Sequence, residues 1–272
     1  MKHLKAIYII WYRDILRYWR NRARIITSLA MPFLWLVMFG SGIKGSLSFG
    51  AGGLDGANFD YVQFLFPGVL GMTILFTSIF AAISIVTDRE FGFMKEILVA
   101  PVSRTAVALG KILGGSTIAM VQASLMMVLA PLVGVQLSWG LVLGLLPVMF
   151  LVAFSLNSLG ILVASRLKST EAFSMVMQFI MMPMFFLSGA LFPLNNLPGW
   201  MTFLSKINPA SYGIDSLRQV AFRYLEVPET IADYFKMELF GNKLSLGYDL
   251  LLVGAFGLVM LLAAVLAFRR SQ

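Results

Sequence analysis

Six apolar stretches, each about as long as a bilayer is thick, constrain this chain more than any other feature. They fall at residues 25–43, 64–86, 107–133, 140–165, 171–192 and 248–268. A helix needs roughly 20 apolar residues to cross the hydrocarbon core. Backbone cannot sit there unpaired, so each stretch is read as helical. With 59% hydrophobic and 12% charged residues in 272, the chain has too little polar surface to coat a soluble globule, which carries roughly a quarter charged residues. The fold class expected is an all-α polytopic membrane protein with six transmembrane helices. Residues 1–24 form a separate cytoplasmic interface helix and 25–272 a single transmembrane domain, with an outer loop at 193–247.

Charge sets the orientation. Fifteen of the 21 lysines and arginines lie before the first stretch, between the second and third (with Lys111 just beyond that connection), between the fourth and fifth, and at the end of the chain. The positive-inside rule places those connections, and both termini, in the cytoplasm. The formal charge of +8 therefore follows from topology, and no nucleic-acid partner is needed. Arg13, Arg17, Arg20, Arg22 and Arg24 interrupt the apolar residues of the N-terminal segment, which does not read as a signal peptide. There, Leu4, Ile7, Tyr8, Trp11, Tyr12, Ile15, Tyr18 and Trp19 recur every three or four positions. That spacing predicts an amphipathic helix on the cytoplasmic leaflet, either an anchor or a lever for a cytoplasmic partner.

Several chemistries are excluded or poorly supplied. With no cysteine and one histidine, His3, thiolate and histidine metal sites are absent, so no metal site is expected. No catalytic constellation is apparent, which leaves little for an intramembrane enzyme. The spans hold few ionisable residues, whereas an ion-coupled carrier or channel usually keeps intramembrane acids or bases. Their polar residues are neutral: Thr73, Thr77, Ser78, Ser84, Thr117, Gln122, Ser124, Ser155, Asn157, Ser158 and Gln178. These suit helix–helix hydrogen bonds better than substrate contacts. Gly110–Gly114 and Gly140–Gly144 match the small-xxx-small spacing for close helix approach. The fifth stretch is rich in methionine and phenylalanine, which adapt to varied apolar ligands; Met177, Met181, Met184 and Phe185 are candidates for a substrate path.

Two connections differ from the rest. Residues 44–63 are rich in Gly and Ser and read as a loop. After the fifth stretch, the first part of 193–247 is too polar for a full span yet holds apolar runs, which suits short re-entrant or interfacial helices. On the other side, residues 87–104 mix Asp88, Glu90 and Glu96 with Arg89, Lys95 and Arg104. A short amphipathic helix over 90–100, stopped by Pro101, would present Phe91, Met94, Ile97 and Leu98 to a partner groove.

At this segment the sequence resembles a known family. Asp88-Arg89-Glu90, Gly92, Glu96, the run Leu98 to Arg104 and Gly110-Lys111 are similar to the signature of type-2 ATP-binding-cassette (ABC) exporter permeases. So are Leu187-Ser188-Gly189, Phe192-Pro193, Leu197-Pro198, Asn208-Pro209, Tyr212, Asp215 and Arg218. Among subgroups the chain looks most like drug, antibiotic or nodulation-factor export permeases. The resemblance implies a permease homodimer in the plasma membrane of a prokaryote, paired with a separate ATPase subunit. Glu90, Gly92, Lys95, Glu96, Pro101 and Arg104 would form the ATPase-coupling interface. Phe192, Pro193, Asn208, Pro209 and Tyr212 would form the outer gate. The chain has no G-x-x-x-x-G-K-[ST] phosphate loop, so it is expected to bind no cofactor and to be no enzyme by itself. ATP and Mg would belong to the partner. The cargo expected is hydrophobic or amphipathic: a drug, lipid or glycoconjugate.

Overall fold

The computed structural model describes residues 2–42, 61–92, 103–195, 197–225, 227–239 and 242–270. Helix α1 (Lys2–Arg20) is followed at once by α2 (Arg22–Gly42). Asn21 makes the break: its side-chain oxygen accepts from the Arg24 amide at 3.1 Å, capping an otherwise unpaired N-terminal donor. Then come α3 (Tyr61–Ala81) and α4 (Ile83–Glu90), one rod with a tightened turn at Ala82. Helices α5 (Arg104–Leu129), α6 (Trp139–Ala164) and α7 (Thr170–Phe186) follow, then the short α8 (Gly199–Ile207), α9 (Pro209–Tyr224) and α10 (Glu229–Tyr234). A two-stranded hairpin pairs Glu238 with Lys243 and Leu239 with Asn242, and α11 (Leu246–Arg270) completes the chain.

Among the described residues, five helical segments are long and apolar enough to cross a membrane: Arg22–Phe39, Tyr61–Glu90, Arg104–Val133, Trp139–Ala164 and Leu246–Phe268. The fifth expected stretch, 171–192, is the one not among them, and it ends early. Helix α7 stops at Phe186, and Gly189 beyond it takes φ +75°, a left-handed conformation suited to glycine. At 17 residues α7 is roughly 25 Å long, short of the ~30 Å core.

The core lies where α3, α5 and α6 meet, with α9 and α11 against them. Outward faces carry large apolar side chains: Met31, Leu34 and Met38 on α2, Met175 and Phe179 on α7, Leu251, Leu258 and Leu262 on α11. Between lipid and a helix neighbour there is no difference in hydrophobicity, so packing and hydrogen bonds must select the contacts. Neutral polar residues supply several of them. Asn157 donates to the Ile112 carbonyl at 2.7 Å and Ser155 to the Val253 carbonyl at 3.0 Å. Gly110 and Gly114 make room for the close approach of α1: side chains added there would meet Ile10 and Asp14. Gly140 and Gly144 seat the ring of Tyr224.

The loop expected at 44–63 lies outside the described residues up to 60, and Tyr61 already opens α3. Most of the helix expected over 90–100 also lies outside them. Its first residue, Glu90, is instead the last of α4, and Phe91 and Gly92 turn the chain away.

Candidate functional site

At the basic end of the bundle, α1 docks along α5 by a line that shares only Tyr18 with the apolar stripe. Ala6, Ile10, Asp14 and Tyr18 are its buried residues, while Leu4, Tyr8, Tyr12 and Trp19 remain exposed. The reason is electrostatic. Lys111, on α5 and only 3% exposed, donates to Asp14 at 3.2 Å, Asp88 at 3.0 Å and the Ser84 hydroxyl at 3.1 Å. Arg13 and Arg17 of α1 reach Asp88 at 2.8 and 3.3 Å. Two carboxylates and three cations thus tie α1, α4 and α5 together. Leaving Asp14, Asp88 or Lys111, the three that are buried, unpaired would be expensive. Further along, Trp11 donates to Thr117 at 3.0 Å and Tyr18 to the Gln122 side chain. Burial pushes the Tyr18 hydroxyl up to about 12, so it stays a donor.

The residues expected at an ATPase interface begin at this network. Arg89 donates to the Ser165 and Leu167 carbonyls at 3.1 and 2.7 Å, closing the end of α6. Glu90 accepts from the Thr170 amide at 3.1 Å, where the positive end of the α7 dipole favours an anion. Gly92 takes φ +80° with open space around it. Arg104 opens α5 and lies 3.5 Å from the Phe268 carbonyl. Lys95, Glu96 and Pro101 lie outside the described residues.

At the other end, the early stop of α7 leaves carbonyls without helical partners, and α9 and α3 supply them. Asn208 donates to Met184 at 2.7 Å, Ser211 to Leu187 at 2.9 Å, Arg218 to Gly189, and Tyr61 to Leu191 at 2.8 Å. Asn208 also caps α9, accepting from Ala210 at 3.0 Å, and Pro209 follows at the first helical position, where its missing N–H is harmless. Tyr212 donates to the Lys206 carbonyl, joining α9 to the end of α8. Phe192 and Pro193 lie half-buried in the turn after α7. Of the expected outer group, Asn208 thus joins α9 to α7 and Tyr212 joins it to α8.

Sequence reasoning named Asp215 and Arg218 among the family motifs without a role, and missed Gln219 and Asp249. Arg218, buried, lies 4.3 Å from the centre of the Phe64 ring. Asp215 and Asp249 face each other across the amide of Gln219, at 2.9 and 2.7 Å. The spans do hold ionisable groups, then, at both ends. Burial pushes the Asp215 carboxyl above its ordinary range. The signal available was the i, i+3, i+4 spacing of Asp215, Arg218 and Gln219 on one helix face.

Between these ends lies a cavity of about 650 Å³, bounded by α2, α3 and α7. Trp35, Met72 and Phe76 form much of its wall, with Met182, Phe185 and Phe186 from α7. Of the four residues expected on a substrate path, only Phe185 lines it. Met177 and Met181 are buried in the core, and Met184 packs at its margin. Helical rotation sends positions 177 and 181 inward and 182 and 186 toward the cavity.

Residues 5–222 match the family model described as ABC-2 type transporter. The chain belongs to the ABC-2 type transporter family. It is 28% identical to the transport permease ycf38 of Cyanophora paradoxa over 79% of this chain and 73% of that protein. It is 30% identical to Nodulation protein J of Rhizobium meliloti (strain 1021), over 78% and 79%. Similarity to the multidrug ABC transporter permease YbhR of Escherichia coli (strain K12) is 30% over 60% of this chain and 45% of that protein. This ABC-2 chain is thus an integral membrane protein and a membrane subunit of an ABC transporter, a class that works with a partner ATPase subunit.

Proposed function

We propose that this chain is the permease of an ATP-driven exporter that moves a hydrophobic or amphipathic molecule out of the cytoplasm or the inner leaflet. The observation that carries the reading is the 650 Å³ apolar cavity walled by α7, a helix tethered at both ends. Glu90 holds its first turn, directly before the segment expected to dock the ATPase, and Asn208, Ser211 and Arg218 hold its last carbonyls. Movement of the Glu90–Gly92 turn is thereby passed to the cavity wall and on to the α9 seam. A few kcal/mol of preference by the ATPase for one position of α7 is enough to switch such a gate. The permease acts as a homodimer in a prokaryotic plasma membrane, with α7 as a sixth crossing, the α8–α9 pair re-entrant and both termini cytoplasmic. ATP and Mg2+ are bound by the partner ATPase, and this chain hydrolyses nothing itself. The printed names of the relatives, a multidrug permease and a nodulation protein, fit a drug or an amphipathic glycoconjugate.

Gentle extraction of a C-terminally tagged chain tests this. An ATP-binding subunit of equal copy number should co-purify, with ATPase activity in nanodiscs stimulated by amphipathic cargo. Recovery of the chain alone from several mild detergents would sink the proposal. One observation favours a second reading: the buried Asp215–Asp249 pair is the kind of group that serves ion-coupled carriers. Transport in vesicles that persists with ATP after the proton gradient is dissipated rejects that alternative.

A further inference from the structure

The charge of the cavity points to the kind of molecule it holds. Of the 16 residues lining it, Arg24 alone is charged. Among the described residues no acid pairs with Arg24, and its guanidinium makes one long hydrogen bond, 3.4 Å to the Phe80 carbonyl at the same mouth. A guanidinium carries five donors and stays protonated, so most of its hydrogen-bonding capacity is unused. The remaining wall asks for the opposite chemistry. Thr27, Ser28 and Thr73 return their hydroxyls to carbonyls of their own helices at 2.9, 2.7 and 2.8 Å. What is left for a ligand is the Thr77 hydroxyl and a wall dominated by Met31, Trp35, Met72, Phe76 and Phe185. Arg24 and Trp35 lie eleven residues apart on α2. That places them roughly 17 Å apart along the axis, about half of the ~30 Å hydrocarbon core. The cavity therefore has a cation at one end and the depth of a single leaflet.

We infer that this cavity binds an amphiphile with an acidic headgroup, drawn from the leaflet at the α1 end, with the headgroup on Arg24 and the chain running toward Trp35. The inference rests on the transport reading of the cavity and narrows its cargo. A neutral drug would leave the Arg24 guanidinium without a counter-charge, and a free anion would leave the aromatic wall empty. Binding needs no rearrangement of the α1 network, because Arg13 and Arg17 are already committed to Asp88.

Trp35 provides the readout. The full chain is placed in phosphatidylcholine nanodiscs doped with lipid brominated on its acyl chains, either phosphatidylglycerol or phosphatidylcholine. Quenching of Trp35 is taken as the difference between the parent and Trp35→Phe. Brominated phosphatidylglycerol should quench at a mole fraction roughly tenfold lower than brominated phosphatidylcholine, the ratio expected for a charge-assisted hydrogen bond. Arg24→Gln should erase the preference and Arg24→Lys retain most of it, with circular dichroism confirming that each variant is folded. Equal midpoints for the two lipids would overturn the inference. So would a preference that survives Arg24→Gln, which would mean general attraction of headgroups to the basic end. Trp35 unquenched by either lipid would mean that a second copy covers the cavity, and would also overturn it. None of these readouts involves the ATPase. Loss of the lipid preference with the ATPase still co-purifying defeats the cargo assignment alone, whereas a chain recovered without an ATPase defeats the exporter reading.

Discussion

The two ends of the bundle bury charge by opposite means. At the α1 end, Asp14 and Asp88 are outnumbered by Lys111, Arg13 and Arg17, so every buried carboxylate has a cation. At the α9 end, Asp215 and Asp249 share a neutral amide, while Arg218 spends a donor on the Gly189 carbonyl. One arrangement holds three helices by attraction between unlike charges. The other holds together only while its two acids are not both ionised. The first joint is held by paired charges, and the second by a neutral donor shared between two acids.

Removing the cation from the first joint should give the largest effect. Lys111→Met leaves Asp14 and Asp88 buried beside each other, and a loss of about 3–5 kcal/mol is expected. Thermal unfolding in detergent measures it. Adding Asp14→Asn should recover part of the loss; no recovery would show that Asp14 is not coupled to Lys111. Gly110→Leu attacks the same joint by volume, because a side chain there meets Ile10 and the Ile7 carbonyl. Overpacking of this kind costs about 1–3 kcal/mol. It should expose α1 to trypsin at Arg13 and Arg17 while the remainder of the chain stays folded. Unchanged cleavage would mean that α1 docks elsewhere.

The second joint should respond to pH instead. A carboxyl raised in the folded state, as Asp215 is above its ordinary 3.8, contributes stability that is complete below that ordinary value. The contribution is lost as pH rises toward the folded value, at about 1.4 kcal/mol per unit of difference. Protection of the α9 amides from hydrogen exchange should therefore fall with rising pH, and Asp215→Asn should flatten the dependence. A decline unchanged in that variant would put the titrating group elsewhere. The smallest effect is expected at Glu90. Glu90→Gln weakens one exposed contact with the start of α7, for about 0.5–1 kcal/mol. Its value is diagnostic: association with the ATPase should change more than stability does. If both change equally, Glu90 serves only as a cap.

Much of this was legible in advance for a simple reason. Hydropathy over about 20 residues reports the solvent, and the lipid-exposed helices follow it to within a few residues. The exception is α7, whose apolar pattern runs on to residue 192 although its helix stops at Phe186. Apolar composition does not record that Asn208, Ser211 and Arg218 stand ready to accept a broken helix end. Asn208, Pro209 and Tyr212 could be picked out as a group because they stand in the ordered motifs by which the chain resembles its family; the capping asparagine followed by proline is a local feature of the same motif. Lys111 stood in a motif, but its partners could not be read there: Asp14 comes from α1 and Ser84 and Asp88 from α4.

The sequence by itself determined the solvent, the helical stretches, the clustering of positive charge on one side and the family. Each of these is written in local composition or in short ordered motifs. The tertiary structure decided which faces meet: that Ala6, Ile10, Asp14 and Tyr18 turn toward α5, that Met177 and Met181 enter the core while Met182 and Phe186 border the cavity, and that Asp215 finds Asp249. In water, burial would have separated the inward faces from the outward ones. In lipid both faces are apolar, and only packing and hydrogen bonding between distant residues can tell them apart.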